Sequence, residues 1–321
     1  MRAPALLATC AALAAAGCGG GSPPEASGEP EGWQALAASR LARTEVAAAR
    51  VGRYVYVVGG FEGASGATTR ATERYDIRRD RWTRVRDMPV GLNHAAAVAH
   101  RGRVFVVGGY RGAKSLDQES SALFRYDPRR DRWARLPAAP TARGALAAGV
   151  IGHRLYAVGG AQLGKALATL EVYDFRTRRW STGPPMSLAR EHLAGAVAAG
   201  RFYALAGRAS GQGNFTAVEA YDPRRRRWEP VPDMAKARGG IAAATVRGRI
   251  VVVGGEESAG TIAEVELHDP GTRRWRRLAD LRTPRHGLGA VARSGRVYVI
   301  EGGDEPGFAF TRALEALRIA P

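Results

Sequence analysis

Residues able to do chemistry are thinly spread along these 321 positions. Of the six histidines, His94 and His192 share a frame: each stands fourteen residues before a glycine doublet or its equivalent, Gly108-Gly109 and Ala206-Gly207. Equal offsets put two imidazoles at equivalent points of a repeating structure, where they can exchange protons with a bound molecule near neutral pH. Chain spacing assigns them no metal, because ligands a few residues apart on one element are missing, and no cofactor is expected. His100, His153 and His286 show no common offset, and His268 takes the place of a repeat tyrosine. No Ser-His-Asp order, phosphate loop or dinucleotide fingerprint occurs.

Cys10 and Cys18 are the two cysteines, so residues 33–321 have neither a disulfide framework nor a thiolate-bound metal. Both lie in what reads as an export leader, residues 1–17, with Arg2 at its start and an apolar run over 5–16 that is too short to span a bilayer. Ala15-Ala16-Gly17-Cys18 resembles a bacterial lipobox, which implies a diacylglyceryl group on Cys18. The first of those four residues is usually leucine; ordinary cleavage after Ala14-x-Ala16 would leave Cys18 a lone thiol instead. Residues 18–32 are rich in Gly, Ser, Pro and Glu and read as a flexible tether reaching about 20 Å. The expected location is the cell envelope, by lipid anchor alone, and the outer membrane in a diderm cell.

A net charge of +18 with 45% hydrophobic residues suits a globular chain rather than a disordered or membrane-spanning one. The basicity is arginine, with lysine at 114, 165 and 236 alone; with abundant alanine and glycine this is what a GC-rich genome writes, and attraction to anions is the other reading.

The positions of tryptophan and glycine reveal the scaffold. Trp33, Trp82, Trp133, Trp180, Trp228 and Trp275 recur every 47 to 51 residues. Glycine doublets keep the same beat at 59–60, 108–109, 159–160, 254–255 and 302–303, with Ala206-Gly207 in the fourth unit. Each unit reads as four short strands: an alanine-rich run, a β-branched run ending in the doublet, a run ending in Tyr-Asp, and a run starting at tryptophan. Asp76, Asp127, Asp174, Asp222 and Asp269 each stand six residues before their tryptophan, three of them followed by proline, and read as turn-makers rather than catalytic acids.

Six units with GG, then Tyr-Asp, then Trp resemble the kelch repeat over essentially all of residues 33–321. WD40 repeats are shorter and carry Gly-His and Trp-Asp signatures missing here. The resemblance implies an all-β, six-bladed β-propeller. Its sixth unit has no tryptophan of its own and Trp33 no unit before it, so the N-terminal strand is expected to complete the last blade. A ring closed within one chain is expected to be a monomer. Some kelch propellers resemble galactose oxidase, whose copper site needs a cysteine-linked tyrosine; no cysteine follows position 18. Exported kelch proteins also include N-acetylneuraminate epimerase, a sugar mutarotase, and the likeness extends to fold and export. The resemblance thus implies a binding module for a protein or glycan of the envelope, with a mutarotase or epimerase as the alternative.

Arginine recurs sixteen residues before the doublet at Arg43, Arg143, Arg190 and Arg238, and seventeen before it at Arg285, where Glu301 reads as an extra residue. Glu73, Glu171, Glu219, Glu266 and Glu315 stand two before the repeat tyrosine or its equivalent. The second unit lacks both, having Leu92 and Phe124, and joint loss predicts that the two positions touch as a structural ion pair. A second group of arginines falls in the turns between third and fourth strands: 78, 79 and 81; 129, 130 and 132; 176, 178 and 179; 224 to 227; 273 and 274. They read either as solvated turns or as a collar for anionic lipid or glycan. Nucleic acid is not expected, since no recognition motif is visible.

Propeller function resides in loops, and the second unit has the longest one after its doublet, YRGAKSLDQESSALFR. The candidate ligand face is therefore Asn93, His94, Arg111, Lys114 and Asp117. Around the same mouth it continues with Glu191, His192, Arg208, Gln212, Asn214, Glu256 and Asp304.

Overall fold

The computed structural model of the protein describes Met1 and residues 32–320, so the expected leader, the lipidation site at Cys18 and the tether up to residue 31 lie outside the described residues. Among those described there is no α-helix, and six antiparallel sheets account for the repeats, five of them four-stranded and the fifth in chain order with Gly260–Thr261 as an additional short strand. The first runs Ala47–Val51, Tyr54–Val58, Thr72–Asp76, Arg81–Arg84, and the next four repeat this order outward. The sixth consists of Gly289–Arg293, Arg296–Ile300 and Leu314–Arg318, and its outermost strand is Trp33–Ala35, paired antiparallel with Trp33 opposite Leu317. The innermost strands neighbour one another in cyclic order and the last of them returns to Ala47–Val51, so the sheets close a propeller.

Small side chains on the innermost strands follow from crowding at the axis. A Cβ on Gly289 would lie 2.6 Å from the Cβ of Ala48 on the neighbouring sheet. The second strands, such as Tyr54–Val58 and Arg103–Val107, are almost wholly buried and fill the layers between sheets with Val, Ile, Phe and Tyr.

Each repeat tryptophan does the same job. The indole N–H donates to a backbone carbonyl of the strap that precedes its sheet: Trp82 to Ala37, Trp133 to Arg86, Trp180 to Pro137, Trp228 to Pro184 and Trp275 to Pro232, all at 2.7–2.9 Å. Trp33 reaches Ala279 in the same way at 2.8 Å and closes the ring. The five aspartates accept a hydrogen bond from the backbone N–H two residues on, as in Asp127 with Arg129, which builds the turn.

Between sheets, the second residue of each doublet donates its N–H to the next unit. Gly60 reaches the Leu92 carbonyl, Gly109 that of Arg143, Gly160 that of Arg190, Gly207 that of Arg238 and Gly255 that of Arg285. In the sixth unit the donor is Gly302, bonded to Arg43 at 2.8 Å. The sixth doublet is therefore Glu301-Gly302 and not Gly302-Gly303; Glu301 is no extra residue but occupies the first glycine's place, with the same left-handed backbone (φ 54°) as Gly59 (φ 66°). Arg285 then stands sixteen residues before its doublet, like the others.

Candidate functional site

One end of the axis is built by the segment entering each innermost strand. Fourteen residues before each doublet stand Glu45, His94, Ala145, His192, Gly240 and Gly287, all with φ between +50° and +70°. Their backbones circle the axis: His94 N–H donates to Glu45, Ala145 to His94, His192 to Ala145, Gly240 to His192, Gly287 to Gly240, and Val46 to Gly287, at 2.9–3.2 Å. Backbone bonds fix the ring, so the side chains at these points are free to differ. Three of them carry chemistry.

One position earlier, Asn93, Glu191 and His286 face the same mouth. With Arg208 and Glu256, from the segments that follow the doublets, they make a continuous polar circuit. Asn93 Oδ1 lies 2.7 Å from His94 Nδ1, and His94 Nε2 lies 3.2 Å from Glu45 Oε2. Glu45 Oε1 is 3.2 Å from His286 Nδ1, which is also 3.6 Å from Glu256 Oε2. Arg208 joins Glu256 at 2.8 Å and Glu191 at 3.0 Å, and Glu191 holds Nδ1 of His192. The circuit closes where the rings of His192 and His94 meet edge to face, 4.8 Å apart.

The charges follow from this packing. Burial opposes ionisation of Glu45, but the facing His94 and the hydrogen bond to His286 outweigh it and hold the carboxyl well below the ordinary carboxylate range. Burial pushes His94 down to about 3 despite the neighbouring Glu45, so it is a neutral imidazole. Burial also works against the His286 cation, yet bonding to Glu45 and the charge of Glu256 raise it above the usual imidazole value. Arg208 is thus held between Glu191 and Glu256, and His286 between Glu45 and Glu256, so three carboxylates face two basic groups. On a chain of charge +18 the axial mouth is locally acidic.

Of the sequence candidates, Asn93, His94, Glu191, His192, Arg208 and Glu256 are brought together, and Asn214 joins them by donating to the Glu256 carbonyl at 2.7 Å. Arg111, Lys114, Asp117, Gln212 and Asp304 stay exposed on the outer loops, where solvation keeps them out of the buried circuit. Glu45 and His286 were not among the candidates. Glu45 carries the same fourteen-residue offset as the two histidines; His286 falls into the register of Asn93 and Glu191 once Glu301 is counted as part of the sixth doublet.

The arginines sixteen before the doublets are not an anion ring. Each is fully buried and bonded to its glutamate: Arg43 to Glu73 at 3.2 Å, Arg143 to Glu171 at 2.6 Å, Arg190 to Glu219 at 2.9 Å, Arg238 to Glu266 at 2.6 Å and Arg285 to Glu315 at 3.5 Å. They also donate to carbonyls at or near the end of the second strand, as Arg238 does to Gly254 at 3.2 Å. Leu92 and Phe124 occupy the same positions in the second sheet within one buried apolar cluster. The turn arginines are exposed on the opposite face.

Known proteins agree with this architecture. A family model described as the KLHDC2/KLHL20/DRC7 Kelch-repeats domain matches residues 45–237, and a Kelch motif model matches residues 237–282. The chain is 33% identical to Kelch-like protein terF of Aspergillus terreus over 124 residues, 37% of this chain and 27% of that protein. It is 34% identical to human Kelch-like protein 34 over 131 residues, 40% and 19% of the two chains, and 28% identical to Limulus polyphemus Beta-scruin over 134 residues, 41% and 14%. The matched stretches span about a quarter or less of these curated relatives. The first family model alone covers more than half of the chain, and the protein belongs to the kelch-repeat family.

Proposed function

We propose that this propeller is an interaction module, exported and lipid-anchored in a cell envelope, that binds a protein or glycan partner at its axial mouth. One observation carries the choice of face. Phe308 and Leu116, 57% and 48% exposed, line a cavity of about 110 Å³ together with the buried polar residues His94, Glu256 and His286 and the half-buried Glu45 and Arg208. Exposed apolar side chains above a preorganised polar floor are what a partner's anchor residue requires. Leader, lipobox and tether supply the anchoring, and the exposed turn arginines on the opposite face are placed to meet an anionic surface.

The test is a binding screen of the full chain against envelope proteins and a glycan array, run beside a sialic-acid mutarotation assay. Capture of a partner that Phe308→Ser and Leu116→Ser weaken at least tenfold is the expected result. Turnover abolished by His94→Ala would replace this reading with the mutarotase, and a partner indifferent to both loop changes would move the binding face elsewhere.

A further inference from the structure

Glu45, His94 and His192 come from three different sheets, yet one ligating atom from each lies within 4.8 Å of the others. His94 Nε2 and Glu45 Oε2 are 3.2 Å apart, close to the donor separation of about 3.4 Å in a tetrahedral site with bonds of 2.0–2.1 Å. Both imidazoles are already oriented. Nδ1 of His94 is held by the Asn93 side-chain oxygen at 2.7 Å and Nδ1 of His192 by the Glu191 carboxylate, which leaves Nε2 of each ring as the available donor. An outer oxygen fixing the second ring nitrogen is how metal-binding histidines are set in tautomer and direction.

Three further features favour a cation here. The mouth has three carboxylates against the Arg208 guanidinium and the His286 imidazole, a balance that favours a bound cation. The ring backbone is fixed by its own hydrogen bonds, so the donors sit on a rigid frame. A cavity of about 80 Å³ lined by Glu45, His94 and His192 lies directly on the axis, large enough for an ion and one or two waters.

We propose that Glu45, His94 and His192 form a binding site for a first-row divalent transition metal ion, Zn²⁺ in the first instance, at the mouth of the propeller axis. Two histidines and one carboxylate leave at least one coordination position open toward the mouth. The site is independent of whether a protein or a glycan docks there.

The full chain is stripped with chelator and titrated with Zn²⁺ by equilibrium dialysis, with Cys10→Ser and Cys18→Ser removing both thiol donors. One equivalent is expected to bind and to raise the melting temperature. His192→Asn, chosen because asparagine tolerates the left-handed backbone of that position, is expected to weaken binding beyond the roughly 10–100-fold that loss of an outer partner costs; Glu191→Gln is expected to fall within that range. His153→Ala, a surface control, leaves affinity unchanged. Independently of the folding of the His192 and Glu191 variants, Co²⁺ added to the cysteine-free chain is expected to give the visible absorption of a four- or five-coordinate site. Absence of saturable binding, binding indifferent to His192→Asn, or a Co²⁺ spectrum identical to the aquo ion would each overturn the proposal.

Discussion

Arg43 and Glu301 meet where the sixth sheet adjoins the first, Nε to Oε2 at 3.0 Å, with both side chains wholly buried. Arg43 also holds Glu73, so one guanidinium serves two carboxylates at the junction where the ring closes. In the other units the position of Glu301 is glycine or alanine, and this closure alone carries the additional charge.

Burial, only partly countered by Arg43, raises the Glu301 carboxyl from 4.5 to about 7. The folded chain therefore keeps a proton that the unfolded chain releases as pH rises from 4.5 to 7, and stability declines over that window by about 3 kcal/mol from this residue. Glu301→Gln should flatten that part of the profile. Urea unfolding at pH 5 and pH 7.5 measures it, and an unchanged difference in the variant would show that Glu301 is not the group responsible.

The buried Arg143–Glu171 pair, 2.6 Å long, predicts strong coupling. Arg143→Met or Glu171→Leu alone should cost about 3–5 kcal/mol, because each strands a buried charge, whereas the double variant should cost much less than their sum. The second sheet already carries the apolar version in Leu92 and Phe124. Strictly additive losses in denaturant titrations would contradict the pairing.

Trp33 is 7% exposed and lies in the cluster that joins the fifth and sixth sheets, with Val251, Val253, Val297 and Leu317. Trp33→Ala should cost about 3–5 kcal/mol, and Trp133→Ala, at a partly exposed equivalent site, less. Removing residues 33–39 deletes a whole strand and the bonds from Leu36 to Leu314 and from Ser39 to Arg312. A truncated chain with an unaltered melting temperature would disprove closure by this strand.

Crowding at the axis gives a test by rescue. Gly289→Ala brings two Cβ atoms to 2.6 Å and should cost about 1–3 kcal/mol. With Ala48→Gly added, the nearest remaining contact is 3.8 Å, and stability should return to within about 1 kcal/mol of the starting chain. No recovery in thermal denaturation would mean that the clash is not the cause.

The scaffold was legible because its markers are held by geometry. A tryptophan that must reach one carbonyl on the preceding strap, and an aspartate that must close one turn, recur at fixed spacing. The closing strand was legible from the same ruler. The sixth doublet misled, because Gly302-Gly303 looks like the motif while the left-handed position belongs to Glu301, a residue type that rarely adopts it. That slip of one residue hid His286 from the mouth. Glu45 was within reach, since it shares the offset of His94 and His192, but weighting loop length drew attention to Arg111, Lys114 and Asp117, which remain in solvent. Contacts among side chains from first, second and fourth sheets depend on the radius of the ring, which no linear spacing encodes.

The hoop of amide bonds around the axis has neither a first nor a last member, and it is made without any side chain. Its six points therefore act as sockets that hold glutamate, two histidines, alanine and two glycines in one and the same left-handed backbone. A reactive centre at the hub is thus composed by whichever side chains stand at those points, while the hoop that carries them is made by the backbone alone.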